Sequence, residues 1–249
     1  MAQLKEDGVS GKSNKEEYAP QVDIANVVIT VDGPAGAGKS TVSKLLAEKL
    51  HILYLDTGAM YRAVALECKR EGVDIEESEK LKKLCTRLDL ALKSEGQESK
   101  VFIGNEDVSL AIRSREIDML SSKISAKQEV REAMTRLQRK IASGGGIVAE
   151  GRDMGTVVFP RANFKFFITA SAVVRAERRY RERLERGENV SRAEIEQELR
   201  KRDHQDCTRA IAPLVPAKDA VIIDTTNLSP GQVVQQMLEI IKHGKHMDP

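Results

Sequence analysis

The chain has 249 residues, 41% of them hydrophobic and 31% charged, with a formal net charge of +2. That length suits one large α/β domain with insertions or two small domains, and so even a charge balance gives no global pull toward nucleic acid or a membrane surface. No stretch approaches the ~18 apolar residues of a membrane span, no signal-peptide core stands at the start, and Cys68, Cys85 and Cys207 lie too far apart for a zinc or disulfide framework; a reducing cytoplasm is the expected location.

Residues 1 to about 25 are polar, carry Gly8, Gly11 and Pro20, and show no apolar period, so they read as a disordered extension. Gly11-Lys12-Ser13 within it has no glycine five residues earlier and no strand leading in, which disqualifies it as a phosphate site. Residues 27–31, mostly β-branched and apolar, read as a buried strand. Gly33-Pro34-Ala35-Gly36-Ala37-Gly38-Lys39-Ser40-Thr41 follows, fitting the phosphate-cradling pattern G-x-x-x-x-G-K-[ST]. A triphosphate needs several backbone N–H groups at close range, and side chains there would block the approach. The helix starting near Lys39, apolar at Val42, Leu45, Leu46 and Leu50, adds the positive end of its dipole. Lys39 would reach the β- and γ-phosphates, and the Ser40 hydroxyl would sit on Mg²⁺.

Residues 52–56 form the next strand and end in Asp56-Thr57-Gly58; a helix from about Ala59 stops at Gly72. Strand and helix in alternation predict a parallel sheet with crossover helices. The middle departs from that rhythm. A helix opens at Ser78, and short strand candidates stand at 88–92 and 100–103, with a Gly104-Asn105 turn before Asp107-Val108. This predicts a small α+β insertion over roughly 78–125. Residues 127–143 then make an amphipathic helix through Val130, Met134, Leu137 and Ile141, closed by three glycines.

The alternation resumes with strands at 147–150 and 164–168, and an arginine-dense helix over 172–186 ends at Gly187. Ser191-Arg192-Ala193-Glu194 is a capping box opening a helix to about His204. A strand at 221–224 and a helix opened by Ser229-Pro230 complete the chain.

A phosphate loop alone leaves kinase, motor, switch and transport ATPase open. Arg62 and Arg152 follow strands whose ends should line one crevice, and a guanidinium fork suits phosphate oxygens. Residues 175–209 hold ten arginines. Most read as a solvated helix pair with bridges such as Glu177–Arg181, yet two such helices about a Gly187 hinge are also how a closing lid is built, with Arg178 toward the nucleotide. A hydroxyl acceptor usually needs a carboxylate base, whereas an acceptor that is itself a phosphate needs arginines. A nucleoside monophosphate is therefore the expected acceptor.

Together with the phosphate loop, Asp56-Thr57-Gly58-Ala59-Met60-Tyr61-Arg62, Gly151-Arg152-Asp153-Met154-Gly155-Thr156-Val157-Val158-Phe159-Pro160 and Arg209-Ala210-Ile211-Ala212-Pro213-Leu214 resemble the bacterial cytidylate kinases over about residues 26–243. The resemblance implies the nucleoside monophosphate kinase fold: a parallel sheet with helices on both faces over 26–77, 126–172 and 210–245, a monophosphate-binding insertion over 78–125, and a lid with its following helix over 173–209. It implies transfer from ATP, with Mg²⁺, to CMP or dCMP. It places the acceptor phosphate against Arg62 and Arg152 with Thr57 and Arg131 nearby, cytosine against Ser122, Arg131 and Asp153, and ribose against Arg202 and Asp206. Arg209 would bridge toward the acceptor phosphate, and Lys39, Arg152 and Arg209 would carry the catalytic charge. Ser40 and Thr57 stand where many relatives have glycine and serine, and Gln205 and Cys207 where charged residues are frequent. The rival readings are a kinase of the same fold acting on a sugar or shikimate-like alcohol, and a nucleic-acid-binding ATPase; with 4% aromatic residues the second lacks stacking platforms. A monomer is expected.

Overall fold

A computed structural model describes residues 24–95 and 98–244. The expected extension, with Gly11-Lys12-Ser13, falls mainly on residues 1–23, outside the described residues; its last part, Ile24–Asn26, is a 3₁₀ turn.

Strand β1 (Val28–Asp32) runs into the glycine loop and helix α1 (Lys39–Leu50). Next come β2 (Leu53–Asp56), α2 (Thr57–Glu71) and α3 (Ser78–Arg87). A meander of β3 (Leu90–Glu95), β4 (Glu98–Ile103) and β5 (Glu106–Asp107) precedes α4 (Arg115–Ile124) and α5 (Gln128–Ala142). The chain returns through β6 (Ile147–Glu150), β7 (Phe164–Thr169), α6 (Ala172–Glu185), α7 (Arg192–Thr208), β8 (Val221–Asp224) and α8 (Pro230–Lys242).

The main sheet has the order β2-β6-β1-β7-β8 with every neighbour parallel, so each connection crosses over through helix. Both faces are buried, as a parallel sheet requires. Alternation sorts the strand residues: Ile29, Val31, Tyr54, Val148 and Phe166 pack with Val42 and Leu46 of α1 and Val233 and Met237 of α8. Leu55, Ile147 and Ala149 point the other way, onto Met60 and Val64 of α2 and Met134 of α5. The insertion shares that second cluster, through Leu81, Leu84, Leu90, Val101, Ile117 and Ile124. A small third cluster (Ala176, Ile195, Leu199) packs the α6–α7 arm against Ala35 of the glycine loop.

Local chemistry accounts for the differences from expectation. Helix α2 starts at Thr57, earlier than Ala59, because the Asp56 carboxylate caps it, accepting from the Ala59 N–H at 2.8 Å. The first strand of the meander starts at Leu90 instead of Leu88, whose N–H still closes α3 on Leu84. Helix α4 was not anticipated; it buries only Ile117, Ser121 and Ile124, too sparse a stripe to read as a period. Helix α7 runs on to Thr208, and Met154–Val158 coil into a π turn. Among the described residues, no helix is long and apolar enough to cross a membrane.

Candidate active site

The C-terminal ends of β1, β2 and β6 open onto one cavity of about 650 Å³, walled by the glycine loop, α2, α4 and the α6–α7 arm. On one side lie Ala35, Gly36, Ala37, Gly38, Lys39, Ser40 and Thr41, with Arg178 against them; on the other lie Thr57, Arg62, Ser122, Arg131, Arg152, Asp153, Arg202, Asp206 and Arg209. Of the residues the sequence singled out, Gly33 and Pro34 are not among its lining. Gly33 has φ 144°, and a Cβ there would stand 2.0 Å from the backbone oxygen of Ile168. At Gly36, φ 75°, a Cβ would come within 2.8 Å of the Arg175 carbonyl oxygen. These two glycines answer to close backbone packing against β7 and α6, a requirement that the sequence pattern alone does not reveal.

Lys39 is buried, and its ammonium donates to the Pro34 carbonyl at 2.8 Å. Burial, assisted by the charges of Arg152 and Arg202, pushes its pKa down to about 7. Ser40 Oγ donates to Glu150 Oε1 at 2.8 Å, and Glu150 Oε2 is buried with no hydrogen-bond partner. Burial and the neighbouring Asp56 push the Glu150 carboxyl above its ordinary value. Thr57 Oγ1 donates to the Glu150 carbonyl at 2.6 Å, tying the start of α2 to the end of β6. Arg178 is turned onto backbone, donating to Ala37 O of the glycine loop at 3.2 Å and to Thr225 O just past β8 at 2.7 Å.

Across the cavity each arginine meets a carboxylate. Arg62 pairs with Asp56 at 3.2 Å, and Arg152 Nε donates to Asp206 at 2.9 Å. Arg131 donates to Asp153, while Arg209 Nη2 lies 3.8 Å from the other Asp153 oxygen. Burial pushes the Asp153 carboxyl up, against the pull of Arg131, Arg209 and Arg152. Asp206 is held low: burial works against it, but Arg152 and Arg202 prevail. Arg202 donates to Asp118 at 3.0 Å, and Ser122 Oγ to Gln205 at 3.2 Å. The Nε atoms of Arg62 and Arg202 and Nη2 of Arg209 remain buried without hydrogen-bond partners. Unmet donors on that side of the cavity suit an anionic, oxygen-rich ligand.

The protein-family model described as cytidylate kinase matches residues 29–243. The chain belongs to the cytidylate kinase family. It is 46% identical over 216 residues to a cytidylate kinase of Citrifermentans bemidjiense, covering 87% of this chain and 93% of that one. It is 47% identical over 213 residues to one of Carboxydothermus hydrogenoformans (86% and 96% covered), and 48% identical over 215 residues to one of Vibrio cholerae (86% and 96% covered).

Three site features of this cytidylate kinase family member escaped the sequence reading. Glu150, the last residue of β6, could have been suspected as a carboxylate ending a buried strand beside the glycine loop. Asp118 lies on the unanticipated α4, and no motif marks it. Asp32, the last residue of β1, is buried and accepts the N–H groups of Met154 and Gly155, each at 2.8 Å. It pins the Arg152–Asp153 turn to the strand that leads into the glycine loop. Burial pushes its pKa up to about 6 against those hydrogen bonds.

Proposed function

We propose that the protein transfers the γ-phosphoryl group of ATP directly to the phosphate of CMP, and of dCMP, with Mg²⁺. The observation that carries the reading is the two-sided cavity: backbone amides and Lys39 on one wall, and Arg62, Arg152 and Arg209 with Asp153 on the other. The triphosphate would lie over the amides of the glycine loop at the N-terminus of α1, with Lys39 leaving Pro34 O for the β- and γ-phosphates. An incoming phosphate charge would hold Lys39 protonated against the burial that depresses it. Arg62 and Arg152 would take the acceptor phosphate and hold its oxygen in line, and no base is needed because that oxygen is already anionic. Arg209 would neutralise charge developing between the two phosphates.

Asp153 would accept from the exocyclic amine of cytosine, with Arg131 and Ser122 beside it. Uracil offers an acceptor at that position and would meet repulsion, a difference worth on the order of 10⁴-fold in such a site. Arg202 and Asp206 would hold the ribose. The donors around Ser40 suit Mg²⁺: a hydroxyl and the buried, unpartnered Oε2 of Glu150 are hard oxygen ligands. Ser40 and Glu150 would hold the ion, which when bound shields charge on the β- and γ-phosphates.

The test is steady-state turnover with ATP and a panel of CMP, dCMP, UMP, AMP and shikimate. The reading requires CMP and dCMP to exceed the others in kcat/KM. Preference for shikimate, or no discrimination between CMP and UMP, would overturn it.

A further inference from the structure

We propose that Asp118 is a positioning residue for the acceptor site, setting Arg202 and Arg179 from the arm by a carboxylate supplied from the insertion. The proposal rests on the reading of the cavity as a CMP and ATP site. Asp118 lines that cavity, and one of its oxygens, Oδ2, accepts from two guanidinium groups on two different helices. Arg179 Nη2 of α6 lies at 2.7 Å and Arg202 Nη1 of α7 at 3.0 Å. Burial works against the charged carboxyl, but Arg202, Arg179 and Arg62 hold it well below the usual carboxylate range, so it is ionised at any pH where the protein works.

The contact is part of a polar seam with helical spacing on both sides. Along α4 and just past it, positions 115, 118, 122 and 125 meet positions 198, 202, 205 and 209 of α7 and its cap. Arg115 pairs with Glu198, Asp118 with Arg202, Ser122 Oγ with Gln205 at 3.2 Å, and Arg209 Nη1 with Ser125 Oγ at 3.4 Å. Steps of three and four on each helix make one face read the other in register, and every pair is made by polar side chains. Asp118 joins three elements, since it also reaches α6 through Arg179, as Glu198 does through Arg183.

The guanidinium of Arg202 is only half engaged. Nη1 is held by Asp118, while Nε is buried without a hydrogen-bond partner. A guanidinium is planar, so fixing one edge fixes where the other edge points. The carboxylate also offsets mutual repulsion among Arg62, Arg179 and Arg202, which otherwise face one another in a confined cavity. Asp118 would thus keep these arginines in place before the acceptor arrives, lowering the ordering cost of binding it.

Asp118→Asn keeps the shape and removes the charge; Asp118→Glu keeps the charge. With CMP and ATP as ligands, titration calorimetry and steady-state kinetics should show Asp118→Asn losing CMP affinity about tenfold or more, the scale of one charge-assisted hydrogen bond. ATP affinity should stay within about twofold, and Asp118→Glu should recover much of the CMP affinity. Adding Asp118→Asn to Arg202→Ala should cost little more than Arg202→Ala alone, because one acts through the other. Unchanged CMP affinity in Asp118→Asn, equal losses for CMP and ATP, or a full additional penalty on the Arg202→Ala background would overturn the proposal. Failure of the unmodified protein to turn over CMP would instead overturn the functional reading, and this proposal with it.

Discussion

The two walls of the cavity are built by opposite means. The glycine-loop wall is backbone: its shape comes from Gly33 and Gly36 pressed against β7 and α6, and among its lining residues Lys39 supplies the cation. The facing wall is side chain: Arg62, Arg131, Arg152, Arg202 and Arg209 are each matched to an aspartate. A backbone cradle is rigid and indifferent to the base its phosphates carry. A network of paired charges is selective, and it puts an internal carboxylate beside each guanidinium whose like charges would otherwise repel. The division matches a common donor and a particular acceptor.

The contrast can be broken most sharply at Lys39. Lys39→Ala should cut kcat by about 10³-fold while thermal unfolding and CMP affinity stay near normal; turnover close to the unmodified level would remove the loop from the chemistry. On the other wall, Asp153→Ala leaves Arg131 and Arg209 buried without their carboxylate, a loss of about 3–5 kcal/mol when one partner of a buried pair goes. Calorimetry should find CMP binding weakened about a hundredfold or more and ATP binding little changed. Equal losses for both nucleotides would remove cytosine recognition from that residue.

Much of the backbone wall was legible in the sequence, because glycine spacing after a β-branched strand reports conformation directly. Its cause was not. That Gly33 faces Ile168 depends on β7 pairing beside β1, a contact over a hundred residues away in the chain. The side-chain wall was legible only as a list of arginines. Their carboxylate partners arrive from the end of β2, α4, α7 and the β6 turn, and no local pattern announces that Asp118 meets Arg202. Fold class followed from strand–helix alternation, while α4, with three buried residues in ten, gave too little period to be seen.

Smaller effects sharpen the same contrast. Gly33→Ala forces a Cβ into the Ile168 carbonyl and should cost about 3 kcal/mol or more of stability in urea unfolding, without changing nucleotide preference. Asp32 joins the two walls, and its carboxyl pKa is raised from 3.8 to about 6. The folded protein therefore binds this proton more tightly than the unfolded chain. Its contribution to stability is full below about pH 4 and falls as pH rises toward 6, by at most about 1.4 kcal/mol per pH unit. Unfolding of Asp32→Asn at pH 4, 5 and 6 should lack that fall relative to the unmodified protein; parallel pH profiles would place the shift elsewhere.

The most direct measurement is a crystal structure with a non-hydrolysable ATP analogue and CMP together. The account predicts the triphosphate over the amides of residues 36–41, the CMP phosphate between Arg62 and Arg152, and the cytosine amine against Asp153. Triphosphate bound away from the glycine loop, or a cytosine ring turned from Asp153, would contradict it.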